Sequence, residues 1–331
     1  MKKTVYLLQS GILKRQDQVL CFEGAEANEI VSVDDTEEIL IYGDVVFDKP
    51  LLDFCTEKQI ILHFFDYYGY YSGSYYPRLH HNSSYMILKQ AEHHTDIAKR
   101  LFIAGRLVQG AVLNILHILE YHLGLGDDVE RQLREVENLA ALIADAREVG
   151  CLRDILENAR ESYYSSLDVM LGLPDFRFLR RSRQPPDDPL NALISFGNSL
   201  LYSQTLSEIY QTHLDPRIGF LHDMEFRRFN LHLDLAEVFK PILVGRTIFI
   251  LLVESKKLTK EDFIKAEDGI VLTEQGKQIF FTEWETRLAK TTGRKIGGQE
   301  ITYRQLLKIE LNKLESHLKG EQEYAPYVHG A

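Results

Sequence analysis

A chain of 331 residues, 45% hydrophobic and 26% charged, can bury a substantial core as one large or two modest domains. Its net charge of −11 argues against a surface coated with nucleic acid, although local basic patches decide binding more than the sum does. Three widely spaced cysteines (Cys21, Cys55, Cys151) give neither a disulfide framework nor a zinc knuckle, the start lacks a signal-peptide core, and the most apolar later run, Ile248 to Val253, is too short for a bilayer; the expectation is a cytoplasmic chain without membrane contact.

In chain order, the first eighty residues read as strands. Val5 to Leu8, Val19 to Phe22, Ile30 to Val33 and Ile39 to Tyr42 are short, rich in β formers and separated by polar or glycine breaks. Pro50 to Lys58 reads as one short helix, Ile60 to Phe65 as a buried strand, and a turn at Gly69 leads to a Tyr-rich segment ending at Pro77. From Ser83 the period changes. Leu88, Ala91, Ile97, Leu101, Ile103, Leu107, Val112 and Ile115 recur at helical spacing, and Gly124 to Asp128 breaks the run. Helical patterns resume to Leu171, and return from Leu190 to His213, from Leu231 to Glu254 with an interruption near Pro241, and from Thr302 to Leu318. Arg177 to Pro189 is a long loop with three prolines. The expected fold is α+β: a small β-rich domain over residues 1–82, then a larger all-helical domain over residues 83–331.

Familiar chemical motifs are missing. Gly124-Leu-Gly126 has no third glycine and no preceding strand, no phosphate-binding loop ends in Gly-Lys-Ser/Thr, and no nucleophile elbow surrounds a serine. His80-His81 and His93-His94 lack ligand spacing to carboxylates. The informative stretch runs from Leu214 to Pro241. Asp234 and Glu237 stand three apart, so one helix face presents both carboxylates. A continuous helix would hold His222 about 22 Å from Glu237, so a shared site requires a bend, and Phe229-Asn230 is a reasonable place for it. Read blandly, these are a helix-end histidine and two surface acids. Cys151 to Tyr164 offers a third acid, either Glu157 or Glu161, and spacing does not choose between them. Neutralising Asp234 or Glu237 is expected to leave the fold intact, because it relieves repulsion between neighbouring acids.

Three blocks, in order and spacing, resemble the CRISPR-associated spacer-acquisition integrase family. They are Glu157-Asn-Ala-Arg160-Glu-Ser-Tyr163-Tyr164, then Arg183-Gln-Pro185-Pro186 through Asn191, Ser195, Asn198 and Tyr202, and then Leu214-Asp-Pro216 through His222 to Leu233-Asp234-Leu-Ala-Glu237-Val-Phe-Lys240-Pro241. The resemblance extends to Tyr67-Tyr68-Gly69 through Arg78 and to Glu321–Tyr324, whereas the residues from Ala325 depart from the aromatic tail of the family.

The resemblance implies that Glu157, His222 and Glu237 are the metal ligands and that Asp234 is a neighbouring acid, either a supporting partner or an alternative ligand. One neutral imidazole and two carboxylates suit Mg²⁺ or Mn²⁺. The implied reaction is metal-dependent endonuclease and integrase chemistry, the attack of a DNA 3′-hydroxyl on a phosphodiester of a CRISPR repeat. Arg177, Arg180, Arg181, Arg183, Arg227 and Arg228 are the expected DNA-phosphate contacts. The family further implies double-stranded prespacer DNA and CRISPR repeat DNA as substrates, a homodimer built partly through the β-rich domain, and a small dimeric second CRISPR-associated acquisition protein as partner. The rival readings are a metal-dependent nuclease of branched DNA or repair intermediates, and a non-catalytic DNA-binding scaffold. A di-metal carboxylate oxidase would want paired Glu-x-x-His motifs, where this chain has Asp-x-x-Glu.

Overall fold

The computed structural model describes residues 3–25, 28–77, 83–182, 185–222, 229–267 and 269–330. It divides into two compact units, residues 1–81 and 82–331.

The described residues of the first unit form two four-stranded sheets and one helix. The strands are β1 (Lys3–Leu7), β2 (Gly11–Gln16), β3 (Val19–Gly24), β4 (Asn28–Val31), β5 (Thr36–Ile41), β6 (Val45–Val46), β7 (Ile61–Phe65) and β8 (Tyr71–Tyr75). One sheet has the order β1-β5-β7-β8, parallel except at its last pair; the other has the order β4-β3-β2-β6. Helix α1 (Lys49–Lys58) begins where the Asp48 side chain accepts from the Leu51 N–H with proline in the first turn, the usual chemistry of a helix start. Leu13, Leu20 and Phe22 of one sheet, Leu7, Ile39, Ile41 and Leu62 of the other, and Leu51 and Phe54 of α1 form a single apolar cluster.

The second unit is mostly helical. Its helices are α2 (Ser84–Thr95), α3 (Ile97–Leu125), α4 (Glu130–Leu142), α5 (Val149–Ser165), α6 (Leu167–Leu171), α7 (Pro189–Tyr210), α8 (Leu231–Lys240), α9 (Arg246–Phe249), α10 (Glu274–Ala289) and α11 (Tyr303–Lys319). Asp96 separates α2 from α3 and caps the latter by accepting from the Lys99 N–H. Gly126, in the left-handed region at φ 96°, ends α3. By length and composition α3 could cross a membrane, yet 56% of its most apolar window is buried and it packs against α4, α5 and α8, which makes it a core helix. Helix α7 is buried along nearly its whole length.

Two expectations are corrected. Pro241 does not interrupt its helix: the chain runs on from α8 through a wide π-helical turn, Pro241–Gly245, into α9 and a second such turn, Ile250–Glu254. The wider turn accommodates a residue that has no N–H to give. Nor is this unit all-helical. It carries two hairpins, β9 (Phe263–Lys265) with β10 (Ile270–Leu272), and β11 (Thr291–Ile296) with β12 (Gln299–Thr302).

Candidate active site

The site is assembled where α5, α8 and the segment before α8 meet beside α3. The bend that His222 requires is present. The backbone N–H groups of Asn230 and Leu231 both donate to the Pro216 carbonyl, at 3.0 and 3.1 Å, so the chain folds back before α8 begins. Asp234, completely buried in the first turn of α8, then binds this loop from inside. Its Oδ2 accepts from the N–H groups of Phe220 (2.5 Å) and Leu221 (3.0 Å), and its Oδ1 from the His222 N–H (3.0 Å). Oδ1 also meets His222 Nδ1 at 2.7 Å. A carboxylate only accepts, so Nδ1 carries the ring proton and the lone pair of Nε2 points away from Asp234. Gly219 makes this approach possible: a Cβ there would stand 2.7 Å from Asp234 Oδ2. Replacing Asp234 would therefore cost more than the relief of repulsion between acids suggests, since three backbone N–H groups, two of them buried, depend on it.

His222 Nε2 faces Glu237, 3.8 Å from its Oε1. Glu237 is 2% exposed and ringed by cations. Arg160 Nη1 donates to both its oxygens at 3.1 Å, and Lys240 Nζ to Oε1 at 2.6 Å. Burial opposes ionisation of Glu237, but Arg160, Lys240 and His222 outweigh it and hold its carboxyl at about 2. Lys240 is shifted the other way: burial disfavours its charge, Glu237 restores more than burial removes, and its nitrogen lies 5.1 Å over the Tyr202 ring. Glu157 reaches the cluster through Arg160, whose Nη2 donates to Glu157 Oε2. Glu161, one turn further along α5, is exposed.

The donor set fits a divalent ion in part. An ion about 2.1 Å from each of two ligands can span 3.8 Å between them, so His222 and Glu237 stand at bridging distance. Glu157 does not close the set, because the Arg160 guanidinium occupies the space between the two glutamates. Among the described residues no three His, Cys, Asp or Glu side chains are grouped closely enough to hold a metal.

The arginine run is divided. Arg177 and Arg180 are exposed, the latter 3.9 Å from Asp187. Arg181 donates to Asn191 Oδ1 (2.7 Å) and Ser195 Oγ (2.8 Å), tying its loop to the start of α7. Arg183, Arg227 and Arg228 lie outside the described residues, as do His80 and His81.

Sequence reasoning missed the residues that hold the His222 loop. Gln90, wholly buried on α2, accepts from the Asp215 N–H at 2.6 Å and donates to the carbonyls of Asp215 and Ile218 at 3.1 Å each. His94 Nδ1 meets the Gly219 carbonyl at 2.7 Å, and Arg100 Nε the Phe220 carbonyl at 2.9 Å. These partners lie 120 or more positions away in sequence, and no local signal announces them. On the other flank of α8, Asn114 of α3 donates to the Val238 carbonyl (2.8 Å) and the Tyr327 carbonyl (3.1 Å). The segment after Ala325 is thereby fixed beside the helix that carries Glu237.

The helical unit of this α+β chain thus gathers an imidazole, two glutamates and two largely buried basic side chains at one spot. Comparison places it more closely. The family model described as CRISPR associated protein Cas1 matches residues 5–286, and the chain belongs to that family. It is 48% identical over 331 residues, 100% of both chains, to a CRISPR-associated endonuclease Cas1 of Thermodesulfovibrio yellowstonii. Its structure is similar to that of a Cas1 protein from Thermotoga maritima, with TM-score 0.86, 40% identity, and coverage of 98% of this chain and 100% of that one. A casposase bound to integration product shares the fold at 19% identity, with TM-score 0.83 and coverage of 100% and 94%.

Proposed function

We propose that the protein is a metal-dependent DNA endonuclease and integrase of CRISPR adaptation, which inserts double-stranded prespacer DNA into CRISPR repeat DNA. The observation that carries the proposal is the opposition of His222 Nε2 and Glu237 Oε1 across 3.8 Å, with Asp234 orienting the ring and Glu157 on the adjoining helix. His222, Glu237 and Glu157 would hold Mg²⁺ or Mn²⁺, which supplies polarisation of the phosphoryl oxygen and offsets charge on the leaving oxygen. Asp234 accepts from Nδ1 and so orients the ring with Nε2 toward Glu237. Lys240, held over Tyr202 beside Glu237, would meet a non-bridging phosphate oxygen.

In the proposed reaction the prespacer 3′-hydroxyl loses its proton and forms a new P–O bond. The repeat's own 3′-oxygen leaves and is protonated. One phosphodiester replaces another, so no external energy source is needed. Exposed Arg177 and Arg180 would follow the DNA backbone, together with Arg183, Arg227 and Arg228. Ile12, Ile30 and Val46, exposed on the β4-β3-β2-β6 sheet, support a homodimer through the β-rich unit. The implied second partner is the small dimeric acquisition protein, and the compartment is the cytoplasm.

The test is strand transfer with end-labelled 3′-hydroxyl DNA and a repeat target in Mn²⁺. The wild-type protein joins the strands. Glu237→Gln and Glu157→Gln lose at least about a hundred-fold, as when a metal ligand fails, while Glu161→Gln retains full activity. Cleavage of branched DNA without joining would replace this reading with that of a repair nuclease, and undiminished activity in both ligand variants would move the site elsewhere.

A further inference from the structure

Arg160 stands one helical turn after Glu157 on α5. Its Nη1 contacts both oxygens of Glu237 at 3.1 Å and its Nη2 contacts Glu157, so one guanidinium joins the two acids. It fills the gap that an ion would have to occupy to touch both of them. A guanidinium does not deprotonate at accessible pH, so it vacates that gap only by moving. The Arg160 side chain is 17% exposed, against 2% for Glu237 and 46% for Glu157, so the guanidinium spans from the buried acid to the more exposed one.

We infer that Arg160 is a built-in competitor for the metal: it serves as counter-ion to Glu157 and Glu237 in the metal-free protein and must release Glu157, Glu237 or both when the ion binds. The inference rests on the metal site proposed above and adds a sign that the site alone does not predict. Any interaction broken on binding weakens the observed affinity, so removal of the competitor must tighten it. A residue that merely supported the local structure would, on removal, loosen the ligands and weaken metal binding. The arrangement has a use. A released planar fork, set beside the ion, suits two oxygens of a phosphate, so the metal and the DNA would favour each other's binding.

The experiment is titration of the full-length protein with Mn²⁺ in the absence of DNA, with free Mn²⁺ read by electron paramagnetic resonance. Arg160→Gln should bind Mn²⁺ about ten-fold more tightly than wild type, the effect of losing one charge-assisted contact that opposes binding. Arg160→Lys, which keeps the charge and the packing but cannot bridge two carboxylates with a fork, should fall between them. Unchanged or weaker binding in both variants overturns the inference. Glu237→Gln separates the two claims. If it abolishes Mn²⁺ binding while both Arg160 variants bind like wild type, the metal site stands and the competitor role falls. If Glu237→Gln binds Mn²⁺ like wild type, the site itself is wrong and the inference falls with it.

Discussion

The two edges of the site are built by opposite means. On the α8 edge, His222 is locked: Asp234 takes three backbone N–H groups and the ring proton, and Gln90, His94 and Arg100 pin the same loop from α2 and α3. Those contacts are short, buried and made largely to backbone. On the α5 edge, Glu157 is half-buried and joins the cluster through the long side chain of Arg160. One edge is preorganised and the other adjustable. On the proposed metal site, His222 would then be in place before an ion arrives and Glu157 would have to rearrange, so mutations on the two edges should fail differently.

Asp234→Asn breaks the rigid edge most severely. Asparagine presents an N–H₂ group where one carboxylate oxygen now accepts, so buried backbone donors lose a partner. Strand transfer should fall about ten- to hundred-fold, as when a residue supporting a ligand is lost, and melting should report a destabilisation of about 1–3 kcal/mol. If activity vanishes while the melting temperature holds, Asp234 acts on the ion and not through the loop. Gln90→Leu probes the same edge more gently and from outside the cluster. The buried leucine removes the side-chain acceptor of the Asp215 N–H and the Gln90 donor to two carbonyls, so amide exchange over residues 215–222 should quicken. The loss of strand transfer should be a few-fold, smaller than for Asp234→Asn. Unchanged exchange in that segment would mean that the loop is held without Gln90.

How far the sequence foretold all this follows from where each signal resides. Aliphatic runs such as Ile60 to Phe65 announce buried strands, but β2 escapes because Gly11–Gln16 buries only Leu13 and carries Lys14, Arg15 and Gln16 outward. The β11–β12 hairpin has a local signal in its Gly297-Gly298 pair, both left-handed at φ 58° and 84°, although its strands lack apolar alternation. Helix α10 lacks an apolar stripe, since Phe280, Phe281, Trp284, Lys277 and Arg287 are all buried around its circumference. At the site, spacing exposed the Asp234 and Glu237 pair and demanded a break near Asn230, which the structure provides. The choice of Glu157 over Glu161 came from the family resemblance; in the structure Glu157 is joined to Glu237 by way of Arg160, while Glu161 is exposed. The Arg160 bridge itself and the Gln90 clamp depend on partners 77 and 125 or more residues away, and periodicity carries no information about them.

The central claim, that one ion joins His222, Glu237 and Glu157, is tested most directly by anomalous diffraction from Mn²⁺-soaked crystals. A single strong peak is expected about 2.2 Å from His222 Nε2 and from a carboxylate oxygen of each glutamate, with the Arg160 guanidinium withdrawn from between them. A peak at another place, or no peak at saturating Mn²⁺ with Arg160 still bridging Glu157 and Glu237, would contradict it.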